Sequence, residues 1–102
     1  MGGETVVHLS TLPVADELNV KATLALQPSV FMNPTTHPEE VRVPTYFSTG
    51  TWDVLVDDKG VVKDYLADPV VPKVLSDRKL MTHYTDSIIG RNFLLGYYMA
   101  FL

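Results

Sequence analysis

Two residues of this 102-residue chain stand in an order that suits proton-relay chemistry: a carboxylate, Asp53, followed by an imidazole, His83. Asp53 closes the turn Gly50-Thr51-Trp52-Asp53, directly after the β-branched and aromatic run Val43 to Thr49. His83 lies in Met81-Thr82-His83-Tyr84, after the next apolar run. A hydroxyl is a weak nucleophile at neutral pH. An imidazole must take its proton during attack, and a carboxylate must hold the imidazole tautomer and stabilise the imidazolium that forms.

The elements that must position these two groups alternate in period. Val6, Val7, Leu9 and Leu12 fit a short helical face over Glu4 to Leu12 that Pro13 closes. Lys21 to Leu26 reads as a buried strand ended by Gln27-Pro28, and Ser29 to Glu40, with Pro34 and Pro38, as a long surface loop. Val43 to Thr49 predicts a second strand with Pro44 at its entrance and Gly50 at its exit. Val61, Val62, Tyr65 and Leu66 repeat at helical spacing over Asp57 to Ala67, with Asp57 or Asp58 as N-cap. Pro72 to Leu80 mixes Val74, Leu75 and Leu80 with charges, the pattern of a strand near a sheet edge. Ile88 to Leu102 is apolar apart from Arg91 and Asn92 and predicts a covering helix.

Such alternation is that of a mostly parallel sheet with covering helices, an α/β fold of about three strands. Reactive groups in such sheets sit at the carboxyl ends of the strands. Both Asp53 and His83 fall there, and adjacent strands would bring them within hydrogen-bonding reach.

Composition narrows the chemistry further. The net charge of -4 gives no general attraction for nucleic acid, so no nucleic-acid partner is expected. There is no cysteine, which removes disulfides, thiolate zinc sites and cysteine nucleophiles. No apolar run reaches the length of a membrane span, and the first residues lack the order of a signal peptide; the compartment stays open. At this length the chain is at most one domain, spanning residues 1–102, with a thin core.

Gly2-Gly3-Glu4 opening a helix, Val20 to Pro28, Val43 to Asp53 and Met81 to Tyr84 resemble successive blocks of the α/β-hydrolase superfamily, nearest its dienelactone hydrolase, cutinase-like and chlorophyllase-like esterases. The resemblance implies the C-terminal half of an α/β-hydrolase fold, running from the nucleophile-elbow helix to the C-terminal helix. In these enzymes the triad follows the order nucleophile, acid, histidine, and the serine stands in a Gly-x-Ser-x-Gly elbow. Met1-Gly2-Gly3 matches the tail of a Ser-Met-Gly-Gly elbow. Asp53 then corresponds to the acid, His83 to the base, and Met1 to the residue after the serine, whose backbone N–H is an oxyanion-hole donor. The serine and all earlier strands are not among these residues. Met1 would thus be an internal methionine of a longer enzyme, and the isolated chain would not turn over esters.

The resemblance implies no cofactor, since relay and oxyanion donors come from the protein. It implies a small-molecule or polymeric ester as the parent enzyme's substrate. An unpaired edge on the Lys21 to Leu26 strand also invites self-association.

Each residue has a plainer reading. Asp53 on such a turn serves as a local turn former, His83 as a loop histidine, and Gly2-Gly3 as flexible residues after a start methionine. His8 reads as a helix-face residue and His37 as a loop residue, neither with a second ligand at metal spacing. Phe31 and Met32 fit either a pocket wall or packing under a loop. Ser48 and Ser87 are not on an elbow. The functional alternative to an esterase fragment is a non-catalytic remnant acting as an interaction or structural module.

Overall fold

The computed structural model describes residues 2–28, 37–53, 55–82 and 99–102. In chain order these form α1 (Gly2–Thr11), a one-turn helix α2 (Val14–Glu17), β1 (Thr23–Leu26), a 3-10 turn at Pro38–Glu40, β2 (Thr45–Gly50), α3 (Asp58–Ala67) and β3 (Val74–Arg78). Residues 99–101 are helical again.

Among the described residues the three strands are parallel, in the order β1-β2-β3. The central strand is the apolar and β-branched run, and every one of its six residues is buried. β3, with Ser76, Asp77 and Arg78 in five residues, lies at an edge, where polar side chains keep access to water. Both positions match the sequence patterns, although each strand is shorter than its run.

Register sorts the side chains into two faces, since successive residues of a strand point to opposite sides. Ala25, Phe47 and Leu75 are aligned across the sheet, and they pack with Val7 of α1 and Val61 and Tyr65 of α3 in one core cluster. Phe47 and Tyr65 meet edge to face, with ring centroids 6.1 Å apart. On the opposite face, Leu24, Leu26 and Tyr46 pack with Phe101, whose ring stands at 74° to that of Tyr46. Helical segments therefore cover both sides of the sheet.

Within β1 the burial differs from expectation. Thr23 and Ala25 are buried while Leu24 and Leu26 are only partly so. The small side chains face α1, and they are small because the helix comes very close there. A side chain on Gly3 would run into the carbonyl of Leu26, so the second glycine of Gly2-Gly3 is set by helix–strand contact rather than by flexibility.

The helices follow local rules. In α1 the buried stripe is Gly3, Glu4, Val7, Ser10 and Thr11, spaced at one helical face. In α3, Asp57 is the N-cap, and its carboxylate accepts the Lys59 N–H at 3.0 Å. Its buried face is Val61 and Asp64, whereas Leu66 is exposed. The apolar repeat thus pointed to the right element but misassigned one of its four residues. α2 had no clear signal, being one turn with Pro13 as its N-cap and Leu18 as its C-cap, followed by Asn19 at φ 56°.

Candidate functional site

The carboxyl ends of β2 and β3 run into two turns that are tied together. Gly50, the last residue of β2, lies so close to the chain at Met81 that any Cβ there would collide with the Met81 carbonyl. Beyond it, Thr51 donates its N–H to the Arg78 carbonyl at 3.0 Å, and Trp52 donates its N–H to the Met81 carbonyl at 3.1 Å. In return the Thr51 hydroxyl oxygen accepts the Leu80 N–H at 3.0 Å. Three bonds and one close approach therefore fix the Gly50-Thr51-Trp52-Asp53 turn against the residues that lead to His83.

Asp53 ends this turn, half-buried, with its own N–H bonded to the Gly50 carbonyl at 3.1 Å. Its Oδ1 accepts two backbone N–H groups, from Leu55 at 2.9 Å and Val56 at 2.8 Å. This is the turn-forming role expected of an aspartate in such a position. The two donors hold that oxygen against the turn. Asp53 lies three residues beyond Gly50, the end of β2.

His83 and Met1, the other two candidates, lie outside the described residues, as do Phe31, Met32, Tyr84 and Ser87. Ser48 is buried within β2, on a regular strand rather than a sharp turn. His8 sits on α1, and His37 pairs with Glu39 at 3.4 Å. Among the described residues, no three metal-ligating side chains are gathered, and no helix is long and apolar enough to cross a membrane.

Sequence reasoning missed two groups on the side of the sheet covered by α1 and α3. Glu4 of α1 and Asp64 of α3 are both buried, and both Glu4 carboxylate oxygens and Asp64 Oδ2 lack hydrogen-bond partners. Burial, with the Glu4 charge as a smaller contribution, pushes the Asp64 carboxyl up to about 7. A signal existed: each acid lies three residues from a core valine, Glu4 from Val7 and Asp64 from Val61, and so shares its helical face. The Thr51 hydroxyl clamp was also missed, and a lone turn threonine gives no such signal.

No family model matches the chain, and no curated protein matches it in sequence. Among solved structures, a monoacylglycerol lipase from Paleococcus ferrophilus superposes with a TM-score of 0.54 at 18% identity, over 63% of this chain. The three parallel strands with covering helices thus form an α/β fold shared with part of that structure. This chain covers 26% of the lipase, so it spans about a quarter of that protein's length. In open parallel α/β sheets ligands bind outside the carboxyl ends of the strands, which is where the two joined turns lie.

Proposed function

We propose that this chain carries the acid and the histidine of a Ser-Asp-His triad from a carboxylic ester hydrolase, in the branch of dienelactone hydrolase, cutinase-like and chlorophyllase-like esterases. Asp53 is the acid. Its Oδ1 serves the turn, and Oδ2 would take the N–H of the His83 imidazole and stabilise the cation that forms during attack. His83 removes the proton of a serine hydroxyl as it adds to the ester carbonyl, then returns that proton to the leaving alcohol. The serine would stand immediately before Met1, and the Met1 backbone N–H would donate to the tetrahedral oxyanion.

The observation that carries this reading is the tie between the turns. Two segments 29 residues apart, at Thr51 and Leu80, are bonded so that Asp53 and the residues reaching toward His83 share one end of the sheet. A purely local aspartate turn would not need that second segment.

Without a nucleophile the 102 residues alone would give no ester turnover, because acid and base act only through it. The test is the reading frame upstream of Met1. A Gly-x-Ser triplet directly before it, with p-nitrophenyl ester hydrolysis by the extended protein that His83→Ala abolishes, is the expected result. Absence of that triplet overturns the assignment.

A further inference from the structure

We propose that α3 is a pH-operated element: the buried acids Glu4 and Asp64 hold one negative charge between them, and a second charge swings α3 away from α1 and moves the turn that Asp53 holds. Glu4 on α1 and Asp64 on α3 lie on the same side of the sheet, exposed by only 2% and 3%. Both Glu4 carboxylate oxygens and Asp64 Oδ2 are buried without a hydrogen-bond partner. Two such acids do not both ionise cheaply, because each charge is stripped of water and acts on the other. Burial first and the Glu4 charge second push the Asp64 carboxyl up to about 7, against the weaker pull of Lys63.

α3 is the element able to yield. Its buried residues are Val61 and Asp64, with Tyr65 half-buried and Leu66 exposed, so the acid is a large part of its seat on the sheet. A helix of ten residues depends on that seat, since alone in water it would be marginal. Its two ends are held unequally. At the C-terminal end Lys73 donates to the Tyr65 carbonyl at 2.7 Å and to the Asp68 carbonyl at 2.5 Å, and lies 4.6 Å from the centre of the Tyr65 ring. At the N-terminal end the cap is Asp57, and Val56 just before it gives its N–H to Asp53 Oδ1 and its side chain to the cluster that holds Val61. A movement of α3 thus pivots near Lys73 and reaches the Asp53 turn.

The other ionisable groups on the packed elements lie toward water or on the far face. His8 is partly exposed one turn along α1 from Glu4, and Glu39 and Glu40 of the 3-10 turn are exposed. On β3, Asp77 is exposed, and Arg78 falls on the face of the sheet opposite Phe47 and Leu75. Asp68, one turn beyond Asp64, has Lys73 beside it. The movement stands on these groups alone; its consequence for catalysis, a displaced acid above about pH 7, rests on the reading of Asp53 as triad acid.

Amide exchange and amide NMR shifts of the chain carrying His83→Ala, followed from about pH 5.5 to about pH 8, test the proposal without interference from that imidazole. Opening at the Val61 amide, corrected for intrinsic exchange, should rise about thirtyfold, as for one proton passing between a carboxyl at 3.8 and one at about 7. The Leu55 and Val56 amide shifts should titrate with it, because both N–H groups are bonded to Asp53. Asp64→Asn should abolish both changes, and Glu4→Gln should move their midpoint to lower pH by removing the neighbouring anion. Leu55 and Val56 shifts that stay flat, a midpoint that Glu4→Gln leaves in place, or a titration that survives Asp64→Asn would each overturn the proposal. With His83 absent throughout, a failed triad assignment leaves these readings standing, so the two failures are distinguishable.

Discussion

Trp52 donates its backbone N–H to the carbonyl of Met81, one of three bonds that tie the turn carrying Asp53 to the segment that leads to His83. In a parallel sheet the ends of neighbouring strands are close in any case. What the three bonds add is a fixed distance between the two turns, which the proposed relay would require of its acid and base.

Gly50→Ala tests that clamp. A methyl group at Gly50 would meet the Met81 carbonyl, a backbone atom that cannot rotate away. The substitution should destabilise the chain by about 1–3 kcal/mol and raise hydrogen exchange at the Trp52 and Leu80 amides. Unchanged protection of those two amides would mean that the turns are not held together there.

Asp53 holds its own turn through Oδ1, apart from the role proposed for it toward His83. Asp53→Asn retains an Oδ1 acceptor for the Leu55 and Val56 N–H groups, whereas Asp53→Ala leaves both without their partner. Urea unfolding should therefore show the alanine variant less stable than the asparagine variant, by about 1–2 kcal/mol. Equal loss in both would show that the turn bonds contribute nothing.

Asp64 should make stability fall as pH rises. Its carboxyl is pushed from 3.8 up to about 7 in the folded chain, so between these values the folded state keeps a proton that the unfolded state has released. The resulting stabilisation of the neutral form is complete below about pH 4 and is lost as pH rises through about 7. At about 1.4 kcal/mol per unit, Asp64→Asn should recover roughly 2–4 kcal/mol at pH 8 and flatten the profile between. Thermal melts of both proteins from pH 4 to 8 provide the check, and parallel profiles would exclude the effect.

The open edge of β1 leads to a further expectation. Among the described residues β1 pairs only with β2, which leaves its other edge without a strand partner. Sedimentation should show mass rising with concentration, and Leu24→Pro, which removes one N–H from β1 and restricts its backbone, should suppress that rise. A monomer at all concentrations would show the edge to be protected.

Much of this architecture was legible because period and punctuation agreed. Thr45 to Gly50 is uniformly β-branched, aromatic or small, and it became the central strand; Asp57 preceded a helical repeat and became its cap. The acid's place followed, since a turn after a strand can only lie at that strand's end. What was hidden is tertiary in origin. Glu4 and Asp64 look like surface charges until two helices share one side of a sheet, and the exposure of Leu66 depends on how far α3 is rolled. The Thr51–Leu80 bond joins residues whose neighbours in sequence say nothing of each other.

The contact between Asp53 and His83 is the claim on which the rest depends, and histidine NMR measures it directly. The chain has three histidines, His8, His37 and His83, so two serve as internal controls in one titration. Asp53→Asn preserves the turn acceptor and removes the charge. The account predicts that this substitution lowers the titration midpoint of the His83 imidazole, which loses a neighbouring anion, and leaves those of His8 and His37 where they were. A His83 midpoint that does not move would contradict it.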